Sequence, residues 1–226
     1  MTRTAVVVFA KAPRPGTVKT RLCPPLSPSA AARLYRCFLL DTLEGVRAIA
    51  GVAPVIAYAP RRARASFAAA HRGVLLVPQT GRDLGARMAN VFAHLFARGF
   101  EAVVIVGSDS PTLPADHLRA AVRTLQAGGA DGVIGPSEDG GYYLIGLRAA
   151  CPELFAGVPW STDRVLATTL QKARRVGQTL RSLPAWYDVD TPDDLRRLAA
   201  ELRHTRVRAT RTRALLRTPA WRFLSR

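Results

Sequence analysis

The sequence predicts an α/β fold in which a mostly parallel sheet carries helices on both faces. Short β-branched runs alternate with longer stretches of helical period, the pattern of strands joined by crossover helices. Two of the runs, the first and the fourth, are continuously apolar, as strands buried on both faces must be. The chain has 226 residues of which 48% are hydrophobic, enough for one domain with a real core and too much for a disordered chain.

Taken in order, the strands are expected at Ala5 to Phe9, Pro54 to Tyr58, Val74 to Val77, Ala102 to Val106, Gly132 to Gly135 and Tyr142 to Leu147, with a seventh near Leu180 to Leu183. Ser29 to Ile49 reads as a helix, because Leu34, Phe38, Leu39, Leu43 and Val46 form one stripe and Gly51 follows. Asp83 is placed to cap Leu84 to Arg98, where Leu84, Met88, Val91, Phe92, Leu95 and Phe96 recur at helical spacing before Gly99. Thr162 to Val176 and Pro192 to Arg203 are further helices. The second has a Thr191 cap, proline at its first position and two acids behind it.

Charge is the other conspicuous feature. There are 33 Lys and Arg against 16 Asp and Glu, a formal +17 that invites a nucleic-acid reading. The distribution argues otherwise. Arg203 to Arg226 holds eight arginines and no acid, which leaves 25 basic against 16 acidic residues, a formal +9, for residues 1–202. The organisation expected is therefore one anion-handling α/β domain over 1–202 and an Arg-rich extension over 203–226. Polyelectrolyte attraction needs no fold, so the extension alone could attract nucleic acid or an anionic surface. Its only aromatics are Trp221 and Phe223, and no recognised nucleic-acid module accompanies it. Three cysteines without C-x-x-C spacing suggest neither a disulfide framework nor a zinc site. No apolar run is long enough to span a membrane, and the expectation is a soluble, cytoplasmic protein.

In an open parallel sheet, ligands bind beyond the carboxyl ends of the strands. After the first strand, Lys11 to Leu22 combines Pro and Gly with Lys11, Arg14, Lys19 and Arg21, which suits a phosphate chain. Val18 stands where a Walker loop needs glycine, and G-x-G-x-x-G is absent. The fourth strand runs into Gly107-Ser-Asp-Ser-Pro, where Asp109 is placed to hold Mg²⁺ against phosphate oxygens or simply to bond the turn that follows. Asp188 and Asp190, two residues apart, share a face if extended, and either could complete a metal site, Asp190 being favoured. Asp193 and Asp194 are accounted for by the helix N-terminus. In Glu138-Asp-Gly-Gly141, two acids precede two glycines, so carboxylates sit beside backbone that a ligand can approach. A tight hairpin would use Asp139-Gly140 equally well. Trp160 and Ser161 open the next helix, with capping the first role of the serine and ligand contact the second.

These segments, with Gln79 to Met88 between them, resemble in order the motifs of a bacterial family of GT-A-fold nucleotide-diphospho-sugar transferases, one branch of which is associated with arsenosugar biosynthesis. The likeness runs through nearly all of residues 1–202. More distantly, the motifs are similar to those of phospholactate guanylyltransferase and the molybdenum cofactor nucleotidylyltransferases. The resemblance implies a GT-A fold, phosphate contacts from Gly16, Lys19 and Arg21 with Lys11 beside them, a base near Gln79 and Gly81, and Mg²⁺ or Mn²⁺ on Asp109 and Asp190. It departs in one respect: Ser108 and Ser110 flank a single Asp109 where sugar transferases often have D-x-D.

The activity expected is metal-dependent glycosyl transfer from a nucleotide-diphosphate sugar to a small acceptor. Lys19 and Arg21 would neutralise the departing diphosphate, Asp139 or Glu138 would be the base, and Gly140, Gly141, Trp160 and Ser161 would line the acceptor side. Nucleotidylyl transfer from a nucleoside triphosphate, with pyrophosphate leaving, is the alternative.

Overall fold

The computed structural model describes residues 3–205 and 207–221. Its frame is a seven-stranded sheet built from β1 (Thr4–Lys11), β2 (Val52–Ala59), β3 (Leu75–Pro78), β4 (Ala102–Val106), β5 (Gly132–Pro136), β6 (Tyr142–Leu147) and β7 (Leu180–Ser182). The order across the sheet is β3-β2-β1-β4-β6-β5-β7. All neighbours pair parallel except β6, which runs against both β4 and β5. The mostly parallel sheet read from the sequence is thus present, with one reversed strand set into it.

The continuously apolar runs are the central strands. Ala5, Val6, Val7 and Val8 in β1 have no exposed surface, and all of β4 is buried. Alternation along them feeds two cores. Val6, Val8, Val104 and Val106 join Leu39 and Leu43 of α1 (Pro28–Arg47), Phe67 of α2 (Arg64–Ala70) and Leu118, Val122 and Leu125 of α4 (Ala115–Ala127). On the opposite face, Val7, Val103 and Ile105 meet Met88, Val91, Phe92 and Leu95 of α3 (Leu84–Ala97) and Ala173 of α5 (Val165–Arg175). Each such buried aliphatic or aromatic side chain contributes about 1.5–3 kcal/mol.

Local signals set the helix starts. Ser27 caps α1 by accepting from the Ala30 amide, with Pro28 next, and Asp83 caps α3 by accepting from the Ala86 amide at 2.8 Å. Thr191 and Asp194 form a reciprocal capping box at the head of α6 (Pro192–His204). The boundary drawn at residue 202 from composition falls inside α6. Beyond it, α7 (Thr210–Leu216) lies against α1, and Ala209 and Trp221 share an apolar cluster with Leu34 and Phe38 of α1 and Leu195, Leu198 and Leu202 of α6. Residues 222–226 lie outside the described residues. No helix among the described residues is long and apolar enough to cross a membrane.

Candidate active site

The carboxyl ends of β1, β2, β3, β4 and β5 open on one edge of the sheet, and the residues singled out in the sequence collect there. Loop 11–19 is anchored at its start by a chain of hydrogen bonds. The Lys11 amide donates to Tyr35 Oη (2.9 Å), the Tyr35 hydroxyl lies 2.8 Å from Ser108 Oγ, and Ser108 donates to the Phe9 carbonyl (3.1 Å). Burial, reinforced by the negative charge of Asp109, pushes the Tyr35 hydroxyl up to about 12, so it stays protonated and keeps the chain intact. Ser108, one of the two serines that flank Asp109, is therefore occupied in joining β4 to β1 and α1.

A cleft of about 470 Å³ lies beyond β1, β2 and β3. Lys11, Arg14, Arg61, Arg62 and Arg87 line it and no Asp or Glu does. Gln79 and Gly81 complete its wall. The Gln79 side-chain amide donates to the carbonyls of Ala57 (2.7 Å) and Ala10 (3.2 Å), pinning the ends of β2 and β1. Gly81 has φ +140, and a Cβ there would stand 2.7 Å from the Arg87 backbone nitrogen. Only glycine lets this turn press on the first turn of α3.

Further along the same edge, Lys19 is held in the left-handed region (φ 49, ψ 40), an uncommon conformation for a residue with a side chain. Its Nζ lies 2.5 Å from Asp109 Oδ1 and 2.9 Å from Asp190 Oδ1. The lysine side chain is 3% exposed, the carboxylates 41% and 44%. Burial alone would lower the lysine pKa, but the two carboxylates outweigh it and carry the pKa above the ordinary value. Asp190 is presented by the α6 capping box, since its own amide donates to Asp194 (3.1 Å). The Asp109 carbonyl accepts from the Val189 amide at 3.0 Å, which ties the two aspartate segments side by side.

Asp188 faces a different set of partners. It accepts hydrogen bonds from the hydroxyls of Ser110 and Ser137. Burial, with the nearby charge of Asp109, raises its pKa to about 6, and the two hydroxyls offset part of that rise. Of the pair Asp188 and Asp190, the latter is the one that shares the Lys19 ammonium with Asp109.

Two carboxylate oxygens that converge on a single cation are a donor set suited to a hard divalent ion. Mg²⁺ is usually held by one or two carboxylates, with water and substrate phosphate supplying the rest. Among the described residues no cluster of three or more His, Cys, Asp or Glu is arranged to hold a metal. Asp109 and Asp190 therefore fit an ion that arrives with a phosphate ligand better than a closed structural site.

The remaining candidates are distributed around this edge. Arg21 is exposed, on the short turn Thr20–Leu22 that follows Lys19. Glu138 makes a bidentate pair with Arg197 (2.6 and 3.0 Å), whose guanidinium lies 3.9 Å from the Tyr187 ring centroid. Asp139 Oδ1 accepts from the Gly141 amide (2.9 Å), closing the turn between β5 and β6. Gly140 (φ +86) has the Asp163 carbonyl 2.2 Å from where its Cβ would be, so the turn sits directly on the Trp160 to Asp163 loop. In that loop Trp160 meets Tyr142 edge-on and crowds Gly85, while Ser161 adopts φ 66. Arg61, Arg62 and Arg87 are cleft residues that the sequence reading did not single out. Arg61 and Arg62 follow the end of β2 directly, so the rule of inspecting loops after strands was sufficient to find them.

Comparison with known proteins gives this edge a context. A phosphoenolpyruvate guanylyltransferase of Sphaerobacter thermophilus is 31% identical over 207 residues, covering 88% of this chain and 93% of the relative. A solved structure from Desulfovibrio desulfuricans G20, provisionally assigned as a nucleotide-diphospho-sugar transferase, is 37% identical with a TM-score of 0.89 over 96% of this chain and 95% of its own. Rv0371c of Mycobacterium tuberculosis H37Rv, solved with manganese, shares the fold at 19% identity and a TM-score of 0.55, over 87% and 98% of the two chains. The fold is thus that of nucleotidyl and nucleotide-sugar transferases. Residues 42–162 match the family described as "Uncharacterized protein conserved in bacteria (DUF2064)", and the chain belongs to that family.

Proposed function

We propose that the chain is a metal-dependent nucleotidylyltransferase that joins a nucleoside triphosphate to a small anionic acceptor and releases pyrophosphate. The observation that carries this reading is the acid-free cleft with five cationic side chains on the same edge as the Asp109, Lys19 and Asp190 cluster. A triphosphate carries more negative charge than a nucleotide sugar and gains more from such a wall.

In this reading Lys11 and Arg14 hold the distal phosphates against loop 11–19. Lys19 and Arg21 donate to the oxygens on which charge grows as pyrophosphate departs. Asp109 and Asp190 would hold Mg²⁺ or Mn²⁺, which when bound supplies further charge neutralisation and orients the triphosphate. The acceptor oxygen forms its bond to the α-phosphorus as the bond to the pyrophosphate oxygen breaks. An acceptor phosphate or carboxylate is already deprotonated at neutral pH, so no base is required. That agrees with Glu138 being committed to Arg197 and Asp139 to its own turn. The Sphaerobacter relative, a guanylyltransferase by name, supports the same chemistry.

The likeness to the Desulfovibrio protein favours a second reading, glycosyl transfer from a nucleotide-diphosphate sugar. The products separate the two. Incubation with Mg²⁺ or Mn²⁺, nucleoside triphosphates and small phosphorylated or carboxylic acceptors should release pyrophosphate. Release of nucleoside diphosphate from nucleotide sugars, with no pyrophosphate from any triphosphate, would put the second reading in its place.

A further inference from the structure

We infer that the outer face of α1, with the α2–β3 connection beside it, is a docking surface for the phosphate backbone of duplex nucleic acid. This does not depend on what the cleft binds. Net charge is divided unequally between the two halves of the sheet. Residues 1–82, which build β1, β2, β3, α1 and α2, hold 13 Lys and Arg against 2 Asp and Glu, a formal +11. Residues 83–202 hold 12 against 14, a formal −2. The two acids of the first half are Asp41 and Glu44, both in α1, and α7 takes both of them. Asp41 is buried and accepts the amides of Arg211 and Thr212, while Glu44 pairs with the Arg211 guanidinium. The attachment of α7 therefore leaves the α1 surface to its arginines.

Beyond the first turn of α1, the exposed residues are Arg33, Arg36, Glu44 and Arg47. Arg47 donates to the Arg72 carbonyl (3.3 Å), which joins this stripe to the α2–β3 connection. Burial lowers the pKa of His71 there, and Arg47 and Arg36 lower it further. Burial and Asp41 raise that of Cys37, against the opposing charges of Arg36, Arg211 and Arg33. The guanidinium groups thus form one continuous field. Among the described residues none of Arg33, Arg36, Arg47 and Arg72 is in an ion pair. Arg33 and Arg47 are about 21 Å apart along the helix axis, at 1.5 Å per residue, a span matched by a polymer of regularly spaced phosphates. Guanidinium forks suit phosphate oxygens. A bilayer fits less well, because stable anchoring needs an apolar element beside the basic patch. The large apolar side chains that are exposed, Leu84 and Val176, belong to α3 and the end of α5, on the other face of the sheet. Single strands are held by stacking on aromatic rings, and Tyr35, Phe38 and Phe67 of α1 and α2 are all buried. Contacts to phosphate alone carry no sequence information.

The test is fluorescence anisotropy of labelled DNA duplexes of about 20 base pairs, in two unrelated sequences, titrated with the full chain over a range of salt. Both sequences should bind alike, with a slope of log K against log salt of about −3 to −4, as for four phosphate contacts. The triple variant Arg33→Ser, Arg36→Ser, Arg47→Ser should reduce that slope by about 2 to 3 and weaken binding more than about tenfold at roughly 100 mM salt. A second triple variant, Arg174→Ser, Arg175→Ser, Arg181→Ser, loses the same charge from exposed positions on α5 and β7. It should stay within about threefold of wild type, since these residues lie outside the proposed contact. Arg36→Glu alone should weaken binding by about fivefold, and it decides the matter if the first triple variant does not fold. Equal weakening in the two triple variants would mean diffuse charge attraction and would overturn the inference. So would wild-type affinity in both Arg36→Glu and the α1 triple variant, or no duplex binding at roughly 100 mM salt. Binding to phosphatidylserine vesicles in place of duplex would overturn it in favour of a bilayer.

Discussion

The Lys19 ammonium lies 2.5 Å from Asp109 Oδ1 and is almost wholly out of water, with Asp190 Oδ1 2.9 Å away on its other side. The lysine therefore stands where the two carboxylates converge, the place a divalent ion would share. Cation and ammonium compete for the same oxygens, and a triphosphate offers Lys19 an alternative anion. In Lys19→Met, nucleotide-free protein should bind Mn²⁺ roughly tenfold more tightly, about 1.4 kcal/mol, as measured by the loss of free-ion signal in electron paramagnetic resonance. Transfer should slow by about 10²-fold or more, as for other lost charge stabilisers. Weaker Mn²⁺ binding in the variant would mean that Lys19 supports the ion instead of excluding it.

Gly81 tests the wall of the cleft. A methyl group there would meet the Arg87 backbone nitrogen at 2.7 Å and the Ala86 Cβ at 2.8 Å, on a backbone at φ +140. A capped helix end cannot yield easily, so Gly81→Ala must displace the turn that carries Gln79. The expected cost is about 1–3 kcal/mol of stability in urea unfolding. Steady-state kinetics should show a rise in the KM for nucleotide that exceeds the fall in kcat. An unchanged KM would separate this turn from nucleotide binding.

What could be read in advance depended on how local the signal was. The apolar runs of β1 and β4 and the stripe of α3 each fall within a few adjacent residues, and the structure places all three where their periods put them. The seven residues of α7 are too few to announce a helix, and what fixes them is Asp41, far away in α1. The same holds in the site. A carboxylate after a central strand is conspicuous, as are two acids two residues apart ahead of a helix cap, so Asp109 and Asp190 stood out. That Glu138 is paired with Arg197, across 59 residues, has no local signature. Nor does the left-handed backbone of Lys19, a conformation usually flagged by glycine or asparagine.

His117 couples stability to pH. Its Nδ1 is 3.0 Å from Tyr143 Oη and its ring meets Trp186 edge-on, at the start of the segment that presents Asp188 and Asp190. Burial lowers its pKa below 6.5, and the charge of Asp116 offsets part of the effect. The folded-state value thus lies below the unfolded one. Above pH 6.5 both states are neutral and nothing is lost; as pH falls through that value the unfolded chain takes up a proton that the native state resists, and stability declines. Urea midpoints measured from pH 7.5 downward should fall less steeply in His117→Phe than in wild type. Parallel slopes would exclude His117 as a source of acid sensitivity.

Asp41 decides whether the arginine-rich end is an appendage or part of the domain. Its side chain is 1% exposed, and its two oxygens accept the backbone amides of Arg211 (3.0 Å) and Thr212 (2.8 Å) at the head of α7. Arg213 extends the attachment by donating to the carbonyls of Leu202, Thr205 and Val207. Arginines that composition alone would assign to an anionic partner are here spent on the fold. Asp41→Ala leaves buried amides without acceptors and should cost about 1–3 kcal/mol. It should also expose Trp221, now 3% accessible, giving a red shift in tryptophan emission. Arg211→Ala removes only ion pairs of a half-exposed guanidinium, chiefly that with Glu44, and should change stability by about 0–1 kcal/mol. If Asp41→Ala unfolds at the wild-type urea concentration with unshifted emission, α7 is not held by this carboxylate.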